Sequence, residues 1–193
     1  MLSRAKALAL GAPALAALTL ALTFAGAGCA LEAKQCLETP ASPRISSRAV
    51  ATCEKALGLD LARRDVFHRT VQVLRVRGRY EDIENWARKV LAEHPRRTDA
   101  IYALAYALRH QGQYQEALVK YKAYAKANKE DAGAYFGIAL CHEALGDRSG
   151  AIGAYRKYVA RERRDSQRAW RQRAEQRIGA LGGGAALASA VSP

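Results

Sequence analysis

Between residues 64 and 165 the apolar side chains fall at three- and four-residue spacing, and a lone glycine interrupts them at regular intervals. The clearest segment is TDAIYALAYALRHQGQYQEALVKYKAYAKANKED, which begins at Thr98. Ile101, Leu104, Ala105 and Leu108 share one face of a helix. Gly112 then lets the backbone leave that helix, and Gln113 and Tyr114 carry the turn. A second helix starts near Gln115 and turns Ala117, Leu118, Tyr121 and Tyr124 inward. Ala105 and Ala117 are small enough for the two axes to approach closely. One hairpin alone leaves its apolar stripe in water, so the pattern predicts a stack of them.

The same outline returns every 34 residues, on Gly78, Gly112 and Gly146. In the copy over 64–97 the matching positions are Phe67, Thr70, Val71, Leu74, Tyr80 and Ile83, closing with His94 and Pro95. After the copy over 98–131, the copy over 132–165 holds Tyr135, Ile138, Ala139, Ala151, Tyr155 and Tyr158. A fixed period of this length marks a repeat architecture. Period, turn glycine, small residues and Pro95 together resemble the tetratricopeptide repeat family. The resemblance implies an all-α fold: a right-handed superhelical stack of antiparallel helix hairpins with a C-terminal capping helix. The chain departs from the family at Ile83, where alanine is usual, at Tyr124 and Tyr158 in place of a small residue, and at Lys129 and Arg163 in place of proline.

The flanks continue the register. Residues 29–63 look like a degenerate hairpin, or half repeat, in which TPASP (39–43) cuts the first helix short and Ala49, Cys53 and Ala56 follow the second-helix pattern. Cys36 and Cys53 fall on facing sides of that hairpin, which predicts a disulfide in an oxidising compartment, with two buried thiols as the alternative. Cys141 lies on an inner stripe and reads as a small buried apolar residue. Residues 166–181 give a basic capping helix with Trp170, Ala174, Ile178 and Leu181 toward the stack, and 182–193 read as a disordered tail.

Residues 1–28 are different material: Arg4 and Lys6, a long apolar run, then small residues, the composition of an export signal. FAGAGC resembles a bacterial lipoprotein signal in which Cys29 is lipidated, although Gly26 stands where a larger aliphatic residue is usual. Cleavage after Ala27 without lipid, and retention of the run as a membrane anchor, fit the same residues. All three place the rest outside the cytoplasm, either held by the membrane (at an outer membrane or the periplasmic face) or periplasmic or secreted. Ala30, where an inner-membrane lipoprotein resembling this one would carry Asp, points toward an outer membrane.

The formal net charge is +13, from 31 Lys and Arg against 18 Asp and Glu, which points to an acidic partner or a polyanionic surface. Outside the cytoplasm that surface is envelope material, and nucleic acid is not expected. The candidate basic patch is Arg161, Arg163, Arg164, Arg168, Arg171, Arg173 and Arg177. No catalytic, metal or cofactor arrangement stands out: His142-Glu143 has Gly146 where a zinc-protease helix needs its second histidine, and Cys141 and His142 point about 100° apart on a helix. By resemblance, the first helices of the repeats line a concave groove for a protein or peptide segment. Carried over position by position, its residues are His68, Gln72, Arg75, Tyr102, Tyr106, Arg109, His110, Phe136, Leu140 and Glu143. Chaperone-binding members clamp a carboxylate with Lys and Asn, but His68, Tyr102, Gln72 and Tyr106 occupy those places here. Two functions are therefore expected from different classes. One is a non-catalytic envelope adaptor working through the groove; the other is a basic spacer lying on anionic wall or membrane material through its arginine-rich helix.

Overall fold

The structure, a computed structural model, describes residues 30–42 and 44–183. The described residues are helices joined by short turns: α1 (30–38), α2 (Ser47–Leu59), α3 (Arg64–Val76), α4 (Tyr80–Glu93), α5 (Thr98–His110), α6 (Tyr114–Ala127), α7 (Gly133–Ala144), α8 (Arg148–Arg161) and α9 (Arg168–Ile178). They divide into two compact units, and the boundary between Val73 and Leu74 falls inside α3. The expected export signal, the candidate lipidation site Cys29 and the tail beyond residue 183 lie outside the described residues.

In the first unit, Cys36 of α1 and Cys53 of α2 are joined by a disulfide with their Cα atoms 4.6 Å apart. Around it Ala33, Ile45, Val50, Ala56, Leu57, Val66 and Phe67 are buried. Ser46 caps α2 by accepting the Ala49 N–H at 3.2 Å, the usual use of serine at a helix start. Thr70 is fully buried yet satisfied, since its hydroxyl donates to the Val66 carbonyl at 2.8 Å.

The second unit is built on the turn glycines. Gly78, Gly112 and Gly146 adopt φ of 68°, 79° and 75°, a left-handed conformation open to glycine and strained for other residues. Each closes the helix before it with the same pair of bonds. Gly78 N–H donates to the Arg75 carbonyl and Arg79 N–H to that of Leu74; Gly112 and Gln113 do the same to Arg109 and Leu108, and Gly146 and Asp147 to Glu143 and His142. This double closure satisfies carbonyls that a helix end otherwise leaves open.

From α4 to α9 each helix packs on its neighbours in the chain, and α5 also meets α7. Ile83, Ala117 and Ala151 occupy one register position on the three second helices and are fully buried. The next turn holds Ala87, Tyr121 and Tyr155, which are buried as well. Full burial of one large apolar side chain is worth about 1.5–3 kcal/mol, so the unit's core follows the stripe that the sequence repeats. α9 closes the series with Ala174 and Ile178 buried, while Trp170, expected inward, is 46 % exposed. A five-residue turn over Gly179–Gly183 follows, in which Gly182 leaves the helical conformation with a φ of 85°.

Candidate functional site

Within the second unit, α5, α7 and α9 place one face each around a cavity of about 520 Å³. Helical spacing does the positioning. Tyr102, Tyr106, Arg109 and His110 lie at i, i+4, i+7 and i+8 on α5, and Phe136 and Leu140 at i and i+4 on α7. Trp170 and Arg173 come from α9, Arg75 from the end of α3, and Tyr121 and Tyr158 reach in from the second helices.

The walls are aromatic. Tyr102 meets Tyr121 and Tyr124 edge-on at centroid distances of 5.6 and 5.0 Å. Phe136 makes edge contacts with Tyr155, Tyr158 and Trp170 at 5.5, 5.1 and 5.3 Å. Each such pair adds about 0.5–1.5 kcal/mol beyond area burial and fixes the ring directions. Phe136 therefore both packs against the cap and lines the cavity. Burial holds the Tyr102 and Tyr106 hydroxyls above their ordinary pKa, so both remain neutral donors.

The charges are less evenly matched. Glu162, also on the wall, is buried and gripped by Arg164 through Nε at 2.9 Å and Nη2 at 2.6 Å, and this contact holds its carboxyl below the usual range. That pair cancels and leaves Arg75, Arg109 and Arg173 as the cavity's excess cations. Arg173 rests over the Trp170 ring at 5.5 Å and Arg109 over Tyr106 at 5.4 Å. Arg109 Nη2 donates to His110 Nε2 at 2.7 Å, while its Nε is buried with no hydrogen-bond partner among the protein atoms. An unpaired buried donor costs about 1–3 kcal/mol, so a ligand acceptor reaching Arg109 would recover that loss.

His110 stacks on Tyr80 at 4.2 Å, and burial, with the Arg109 charge second, pushes its pKa down from 6.5 to about 4. Between pH 4 and 6.5 the unfolded chain binds the extra proton, so this contribution to stability is complete above pH 6.5 and is lost as pH falls toward 4. His110→Gln should therefore soften the fall of melting temperature across that window, measured by circular dichroism at steps from pH 7 to 4. Parallel curves for wild type and variant would contradict the assignment.

The residues expected from the sequence separate into groups. Arg75, Tyr102, Tyr106, Arg109, His110, Phe136 and Leu140 share the cavity. His68 and Gln72 lie on the part of α3 in the first unit, both exposed. Glu143 is not a lining residue: its Oε1 accepts from Tyr155 Oη at 2.5 Å and from Arg177 Nε at 3.2 Å, and Arg177 Nη2 closes on its other oxygen. These donors hold its carboxyl below the usual range against the opposing effect of burial.

The arginines of the candidate basic patch differ in their surroundings. Arg164 and Arg177 are committed to Glu162 and Glu143, and Arg171 stands 3.9 Å from Glu175. Arg173 belongs to the cavity and Arg161 lies over the Tyr135 ring at 4.7 Å; Arg163 and Arg168 are exposed. The cavity also contains residues that the register did not single out as groove, among them Tyr121, Gly137, Tyr158, Glu162 and Trp170. Among the described residues, no three His, Cys, Asp or Glu side chains group so as to hold a metal ion.

Comparison with known proteins agrees with this architecture. The family model described as anaphase-promoting complex, cyclosome, subunit 3 matches residues 76–158. Among solved structures, the chain is similar to MamA, with a TM-score of 0.58 and 23% identity over 72% of this chain and 78% of that one. It is similar to TTC0263, a thermophilic TPR protein of Thermus thermophilus, with a TM-score of 0.56 and 18% identity over 70% and 74%. It is also similar to YrrB, described as a TPR protein with an unusual peptide-binding site, with a TM-score of 0.54 and 23% identity over 69% and 66%. A search of the curated proteins finds no match.

Proposed function

We propose that this chain, whose fold is similar to that of tetratricopeptide repeat proteins, is a non-catalytic adaptor whose second unit holds a segment of another protein in the α5/α7/α9 cavity. The observation that carries this reading is the cavity wall itself. Flat amphipathic rings stand beside three arginines whose charge no carboxylate in the cavity offsets, and one of those arginines has an unpaired buried Nε. Tyr, Trp and Arg are the side chains that most often dominate a protein interface. The peptide-binding site attributed to YrrB, which has a similar fold, supports an occupant of the same class. The excess cations select a segment that carries at least one carboxylate beside an apolar side chain. At about 520 Å³ the cavity takes a few side chains of that segment and not a folded domain.

The finer reading is assistance in assembling a complex of the bacterial envelope. Its support is the export-type sequence before residue 29 and the lipoprotein-like FAGAGC, which would tether the adaptor through a lipid on Cys29. The alternative, a spacer bound to anionic material through α9, has less support because Arg164, Arg171 and Arg177 are already paired with carboxylates.

The test is affinity capture from detergent-solubilised envelopes with the full chain and with a Tyr102→Ala/Tyr106→Ala/Arg109→Ala variant, at low and high salt. A binding anchor is worth about 2 kcal/mol or more, so a specific partner should be held at high salt by the wild type and lost by the triple. The variant's helicity, read by circular dichroism, should be unchanged. Capture that disappears with salt and ignores the triple would reject the adaptor reading.

A further inference from the structure

A second groove, of about 680 Å³, opens between α6, α7 and α8 and shares no residue with the aromatic cavity. Its lining includes the cations Lys122, Lys126, Lys129, Lys157 and Arg161 and no carboxylate. Elsewhere in this unit the positive side chains that approach carboxylates pair with them closely. Arg79 meets Asp82 at 2.5 Å, Arg88 meets Glu84 and Glu116 at 2.8 and 3.0 Å, and Arg97 meets Asp99 at 3.0 Å. Asp147, whose charge interacts with that of Lys122, accepts the Gly150 N–H at 2.8 Å and lies 2.7 Å from His142 Nδ1.

The arrangement has a spacing. Lys122 and Lys126 stand one turn apart on α6, and Lys157 and Arg161 one turn apart on α8, so two rows of charge flank the groove with a step of about 6 Å along each helix. Like charges at this spacing repel; Arg161 in addition lies over the Tyr135 ring at 4.7 Å and donates to the Lys157 carbonyl at 3.4 Å. The rest of the lining is mixed: Ala125, Ile138 and Ala154 are buried, Gly150 and Gly153 add no side chain, and Tyr135 and His142 complete it. A bilayer is flat and cannot enter a concave floor between two helices, whereas a third helix can.

We propose that this groove docks an acidic helix of a partner protein, with Glu or Asp side chains at i and i+4 meeting the two rows and small apolar residues resting on Ala125, Ile138 and Ala154. The proposal is independent of the aromatic cavity. It gives the chain's positive charge a specific place to act, through side chains that line no part of the first site.

The experiment is fluorescence anisotropy of the full chain against a labelled, alanine-based helical peptide with glutamates at i, i+4 spacing. A scrambled peptide of the same composition and vesicles rich in phosphatidylglycerol serve as comparisons. Lys122→Glu/Lys126→Glu/Lys157→Glu changes three exposed side chains and should leave the far-UV spectrum unchanged; Lys122→Gln/Lys126→Gln provides a milder second variant. The expected result is binding of the i, i+4 peptide that weakens about tenfold or more in the reversal variant, less in the glutamine variant, and not at all in the Tyr102/Tyr106/Arg109 alanine triple. Equal affinity for the scrambled peptide, peptide binding indifferent to both lysine variants, or lysine-dependent retention on vesicles without peptide binding would each overturn it.

Discussion

Gly137→Ala should destabilise the second unit by about 1–3 kcal/mol, although alanine is the better helix former by about 1 kcal/mol. The reason lies one hairpin away. A methyl group at Gly137 would stand 2.5 Å from Tyr121 Cζ and 2.7 and 2.8 Å from its Cε atoms, closer than packed carbons approach. Tyr121 is 1 % exposed and wedged edge-on against Tyr102, so its ring has no room to retreat. At the preceding junction the same two register positions hold Ala87 and Ala103. Large against absent at one junction thus replaces small against small at the other. Tyr121→Ala alone should cost about 3–5 kcal/mol through the cavity it opens. The double variant should cost measurably less than the sum of the two, because the alanines restore the size match of the earlier junction. Chemical denaturation of the four proteins reads the coupling, and strictly additive losses would contradict the packing described.

Removing the Cys36–Cys53 bridge should cost the first unit about 3 kcal/mol, the loop-closure value for a cross-link of roughly this length, whose ends here are 17 residues apart. The effect is sizeable because the unit is small: three helical segments and a short list of buried side chains carry it. Cys36→Ala/Cys53→Ala, or reduction of the wild type, should lower its denaturation midpoint, followed by far-UV circular dichroism. An unchanged midpoint, or two free thiols found by mass analysis of the protein isolated without reductant, would rule the bridge out as a source of stability.

These two sites show how far the sequence could be read. The turn glycines were legible because the demand on them is local: a positive φ closing a helix singles out glycine wherever it occurs, and three copies in step made the signal plain. The buried stripe was legible for a related reason, since helical period and apolarity act within one element. The Tyr121–Gly137 contact was not, because it depends on how far one hairpin is offset from the next. Glu143 occupies a groove position by register, yet Arg177, 34 residues further on, turns it away. Trp170 falls on the inward stripe of α9 but meets Phe136 on one side and the Arg173 guanidinium on its face, so it stays half in water. The seven arginines looked like one patch because counting charges in a row cannot show which of them have found carboxylates.

The most direct measurement is site-specific photo-crosslinking in intact cells. A benzophenone side chain replaces Tyr106 in the aromatic cavity, and in a parallel protein it replaces Val119, which is 62 % exposed on α6 and lines neither groove. A protein segment held in the cavity predicts a discrete crosslinked partner from position 106, lost when Arg109→Ala is added, and none from position 119. Matching adducts from both positions, or none from 106 in cells that carry the chain natively, would contradict an adaptor that works through this face.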